Sequence, residues 1–73
     1  MNRTLDEALL AAHDREDGPA LIQLYEQAAN EAGDEQASGF FLTHAYVFAL
    51  ECGDARADTL RRRLAKMGRE TLT

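Results

Sequence analysis

The side chains of this chain that could do chemistry are few: His13, His44, Cys52 and thirteen carboxylates. A metal site would need both histidines and an acid to converge. They stand thirty-one residues apart, and no His-x3-His or Cys-x2-Cys spacing prepares a site, so no metal is expected. Cys52 and His44 could make a nucleophile and its base, and the pattern below puts both on one helix. Eight residues separate them by about 80° around that helix and about 12 Å along it, too far for a hydrogen bond. The glycines stand singly and serve as helix caps, leaving no phosphate-cradling loop. The acid pairs Asp6-Glu7, Glu16-Asp17 and Asp34-Glu35 fall at helix starts, where negative charge complements the helix dipole. These residues predict a protein that is not an enzyme and holds no cofactor.

A basic run is the other chemical feature. Arg62, Lys66 and Arg69 fall on one face of the last helix, with Arg61 and Arg63 flanking it. Nucleic-acid binding favours a basic domain, whereas this chain has a net charge of −5 and a pI of about 4.8. An acidic protein partner suits the patch Arg62, Arg63, Lys66 and Arg69 better, and a small nucleic-acid-associated protein is the alternative. Charge is also divided along the chain. Residues 1–36 carry nine acids against Arg3 and Arg15, while residues 37–73 carry six bases against four acids, so the two halves should attract within the fold or between copies.

The elements that position these groups follow from the punctuation. Gly18-Pro19, Gly33-Asp34, Gly53-Asp54 and Gly68 each fall where an apolar helical pattern stops or starts. Four helices are predicted, at about residues 5–13, 19–32, 35–52 and 55–67. Thr4 is placed to cap the first, with Glu7 completing a capping box, and Leu5, Ala8, Leu9 and Ala12 form its stripe. Asp17 or Gly18 caps the second, whose stripe is Leu21, Leu24, Tyr25, Ala28 and Ala32. Gly33 and Gly53 are expected to end the second and third helices in the left-handed conformation, with Asp34 and Asp54 capping the helices that follow. The last helix shows Ala57, Leu60, Leu64 and Met67 on one side. Val47 and Ile22 are the only valine and isoleucine, which leaves strands without support. The fold class expected is all-α, four antiparallel helices packed as two hairpins.

At 73 residues the chain has room for one domain and one small core, so burial against a partner or a second copy would add useful stability. No window approaches a membrane span, and the N-terminus lacks the pattern of a secretion signal, so a cytoplasmic protein is expected. Cys52, a lone cysteine among Phe48, Ala49 and Leu50, reads as a small buried hydrophobe.

The pattern A-x-E-x-G-D occurs twice, at residues 29–34 and 49–54, each time marking a helix end and a tight turn. Together with Asp17 to Ala28 (DGPALIQLYEQA), Ala45-Tyr46 and the helix from Ala57 to Met67, it resembles the tetratricopeptide repeat and its Sel1-like relatives over about fifty residues. Leu21, Tyr25 and Ala28 sit at positions which that repeat fills with apolar, aromatic and alanine residues. Neither unit has a closing proline, the turn after Gly53 looks one residue short, and two hairpins are fewer than such arrays use, so a self-capped miniature is implied. The resemblance implies a non-catalytic scaffold that binds a protein or peptide.

Stepping along residues 35–52 at about 100° each places Phe41, Leu42, Ala45, Tyr46, Phe48, Ala49, Leu50 and Cys52 within one arc of roughly 200°. So wide an arc predicts burial between the second and fourth helices. Phe40, Thr43, His44, Val47 and Glu51 share the other side. They form either a protein-binding patch with an apolar centre and polar border, a surface covered by the first helix, or the seam of a homodimer. The sequence leaves these three open.

Overall fold

The computed structural model describes residues 3–68, which form four α-helices and no strand: α1 (Arg3–Arg15), α2 (Gly18–Glu31), α3 (Glu35–Cys52) and α4 (Arg56–Lys66). The helices pack in chain order, α1 on α2, α2 on α3 and α3 on α4, in a flat body of 31 × 29 × 14 Å. Among the described residues no Cα atom of α1 comes within 8 Å of one in α3.

Helix ends account for the boundaries. Thr4 lies inside the first turn of α1 and does not cap it, because nothing in Arg3 or Thr4 opposes helical backbone and the helix already includes Arg3. At the other end α1 runs two residues further than its apolar stripe predicts. Glu16 takes a left-handed φ of 54°, its N–H donates to the His13 carbonyl at 3.0 Å, and the Asp17 N–H donates to that of Ala12 at 3.0 Å. This is the Schellman closure, built on a residue with a Cβ. Asp17 then caps α2, accepting the Ala20 N–H at 3.2 Å, with Pro19 in the first turn.

The two A-x-E-x-G-D segments behave differently. Gly53 adopts φ 64°, donates to the Leu50 carbonyl at 3.2 Å and is followed by an Asp54 N–H on the Ala49 carbonyl at 2.9 Å, the same closure as at Glu16. Gly33 has no positive φ. Instead α2 leaves through Ala32 in extended backbone (φ −64°, ψ 143°), and Asp34 is extended as well. The turn therefore reaches α3 without a left-handed residue. Asp34 caps α3 as expected, accepting the Ala37 N–H at 2.7 Å. Asp54 stands one residue before the cap position of α4, which Ala55 fills. Its carboxylate takes the Arg56 N–H at 2.8 Å and the Arg56 guanidinium at 3.0 and 2.8 Å.

Two apolar clusters meet across the central α2–α3 hairpin. Ile22 and Ala29 of α2, Leu42, Ala45 and Ala49 of α3, and Leu60 and Leu64 of α4 form one. Leu5, Leu9 and Ala12 of α1 with Leu21 and Ala28 of α2 form the other. Tyr25, Phe41 and Phe48 pack against both. α2 thus buries two adjacent stripes rather than the single one its sequence suggests. Ala12, Ala28, Ala29, Ala45 and Ala49 are among the buried residues of these clusters. The acidic and basic halves join where Arg63 of α4 donates to the Asn30 side-chain carbonyl at 2.8 Å and lies 4.0 Å from Glu26 of α2.

Candidate functional site

α3 lies between α2 and α4 as its broad apolar arc predicts, with Leu42, Ala45 and Ala49 buried and Phe41, Tyr46 and Phe48 half-buried. The arc is narrower than the sequence implies. Leu50 is 56 % exposed and Cys52 is exposed, not buried, because Leu50 falls on the solvent side of α3 with Val47 and Cys52 is the helix's last residue. Cys52 instead lies against the start of α2, where a Cβ on Gly18 would collide with its Sγ.

The opposite side of α3 is open. α1 packs along α2 and reaches α3 only by side chains, His13 meeting the Phe48 ring edge at 5.8 Å between centroids. Phe40 is therefore 57 % and Val47 44 % exposed, Thr43 and Glu51 are exposed, and His44 is half-buried. Between Gln36 and Leu50 the exposed residues of α3 are Gln36, Phe40, Thr43, Val47 and Leu50, spaced 4, 3, 4 and 3. That alternation is the coiled-coil repeat, and it runs along the helix on the side away from the core stripe. Leu50 belongs to this ridge and the helical-wheel arc misplaces it; the 4-3-4-3 spacing is the signal that would have found it.

Two polar groups along the ridge bond to their own helix. The Thr43 hydroxyl donates to the Gly39 carbonyl at 2.8 Å, and His44 Nδ1 donates to the Phe40 carbonyl at 2.9 Å, since a carbonyl can only accept. A depression of about 260 Å³ lined by Thr43, His44, Val47, Phe48 and Glu51 borders the ridge. Beyond it His44 stacks on Tyr25 at 5.1 Å, and Tyr25 stacks on Phe48 at 5.8 Å, a ring cluster that holds the border rigid. Burial raises the Tyr25 phenol above its usual pKa. In the sequence Tyr25 stands out only as a stripe residue and as the aromatic position of the repeat resemblance.

A larger hollow of about 360 Å³ lies between His13, Glu16, Gly18, Leu21, Phe48, Glu51 and Cys52. Cys52 and His13 both line it, whereas His44 lines the other depression. Among the described residues no three His, Cys, Asp or Glu side chains are grouped to hold a metal ion.

On α4, Arg61 and Arg62 share Asp58 at 3.0 and 2.7 Å, and Arg63 turns to α2. Lys66 is exposed in the last turn, and Arg69 lies outside the described residues. Three of the five expected basic groups therefore already have oxygen partners on the chain. The chain matches no protein-family model, no curated protein and no solved structure. No helix among the described residues is long and apolar enough to cross a membrane.

Proposed function

We propose that this protein is a non-catalytic interaction module that docks a helix of another protein chain against the outer face of α3. The observation that carries the reading is the exposed ridge of Phe40, Thr43, Val47 and Leu50, set against the buried stripe on the other side of the same helix. A small domain that needs apolar burial for stability leaves three large apolar side chains of its longest helix in water, and a contiguous apolar surface of that kind marks an interaction site. His44 and Glu51 border the ridge with groups that can fix orientation. The likeness to helical-hairpin repeats supports the same role.

Nucleic-acid binding through α4 is the weaker reading, because Asp58, Glu26 and Asn30 occupy three of its arginines. The test compares the wild-type chain with Phe40→Asp/Val47→Asp as bait. Proteins captured by the first and lost by the second, with helical circular dichroism unchanged, support the module. Equal capture by both overturns it. A gel shift at low salt that the variant Arg62→Ala/Lys66→Ala abolishes would favour nucleic acid instead.

A further inference from the structure

Resting on that reading, we infer that the helix docked on α3 is α3 of a second copy, the two running antiparallel. The ridge is self-complementary by spacing. Phe40, Thr43, Val47 and Leu50 lie five and two residues on either side of position 45, so a twofold axis there sets Phe40 against Leu50 and Thr43 against Val47. The central pair is two β-branched side chains of nearly equal size, which lets the helices approach at the middle, while the two longer side chains close each end.

The helix dipoles favour one direction. The only acidic or basic side chains of α3 other than His44 are Glu35 and Glu51, at its two ends, so nothing charged interrupts the ridge. A parallel pair would set Glu51 beside Glu51. The antiparallel pair moves the two Glu51 side chains about 18 Å apart along the axis, places each about 6 Å along it from the partner's Glu35 beyond the end of the ridge, and opposes the helix dipoles. Thr43 and His44 Nδ1 already donate to their own helix, and the Gln36 amide lies beyond Phe40 at the end of the seam.

Area sets the strength. Phe40, Val47 and Leu50 leave roughly 300 Å² of apolar side chain open per copy, so two ridges cover about 600 Å² before Gln36, His44 and Tyr46 add their share. That is below the roughly 1,200 Å² of a stable specific interface, so the dimer is a weak one that exchanges with monomer at high micromolar concentrations or above.

Sedimentation equilibrium of the full chain from about 5 µM to about 1 mM tests this. The expected mass rises from 8.1 kDa toward twice that value. Val47→Asp and, separately, Leu50→Asp should stay monomeric with unchanged helical circular dichroism. Direction is tested in a Cys52→Ser background, where oxidation should link chains carrying Thr43→Cys to chains carrying Val47→Cys faster than it links either to itself. A wild-type chain monomeric at about 1 mM overturns the second copy as occupant. Preferred linkage of Val47→Cys to itself overturns the antiparallel pairing. Either failure leaves the module itself standing, since that falls only when Phe40→Asp/Val47→Asp captures everything the wild type does.

Discussion

The phenol oxygen of Tyr25 on α2 lies 3.0 Å from Nε2 of His13 on α1, and on its other side the same ring stacks on His44 of α3 at 5.1 Å. One side chain therefore ties three helices, including two whose backbones never meet. Tyr25→Phe keeps the ring stacking and removes the hydrogen bond, which should cost about 0.5–1.5 kcal/mol. Tyr25→Ala removes the rings' common neighbour and should cost about 3 kcal/mol or more. Chemical denaturation measures both, and a similar cost for the two would show that the ring contacts contribute little.

Two residues of α3 only five positions apart should respond oppositely. Leu42 is fully buried against Ile22, Leu60 and Leu64, so Leu42→Ala should destabilise by about 2–5 kcal/mol. Val47 faces out, and Val47→Thr at low protein concentration should change stability by no more than about 0.5 kcal/mol. A large loss at Val47 in thermal unfolding would mean that the face is covered.

The left-handed residues that close α1 and α3 make a matched pair. Glu16 holds φ 54° despite its Cβ, whereas Gly53 holds φ 64° without one. Left-handed backbone costs a residue with a Cβ roughly 1–2 kcal/mol, against about 0.4–1 kcal/mol of extra unfolded-state entropy for glycine. Glu16→Gly should therefore stabilise by about 0.5–1 kcal/mol, and Gly53→Ala, by the same difference, should destabilise by about 0.5–1 kcal/mol. Urea midpoints with unchanged slopes would check both signs.

Hydrogen bonds from the Arg56 side chain and backbone hold the Asp54 carboxyl at a pKa of about 2, below its usual 3.8. A depressed folded pKa means that the contact contributes its stability above about pH 4 and loses it as pH falls through about 2. Thermal unfolding across pH 2–5 should show a fall in melting temperature at the acid end, and Asp54→Asn should flatten it. An unchanged slope in that variant would assign the acid sensitivity to other carboxylates.

Much of the architecture was legible in residues whose effect is local. Asp17 and Asp34 cap because a short carboxylate reaches the free N–H groups of the next turn wherever the chain is. Gly53 closes α3 because only glycine takes that backbone without strain. The same reasoning failed at Gly33 and Glu16. The path from α2 to α3 runs through extended residues instead of a left-handed one, and α1 closes through Glu16 in the conformation a glycine would take freely.

The sequence by itself determined four helices, their order and the residues able to line a core, because apolar periodicity and capping chemistry act over a few residues. It could not say which apolar side chains are used. Phe40, Val47 and Leu50 are as hydrophobic as Phe41, Phe48 and Leu42, and a helical wheel ranks them without knowing where the neighbours stand. Only the tertiary structure decided that α1 sits on α2 and leaves the outer side of α3 bare, since burial belongs to the relation between helices and not to any one of them.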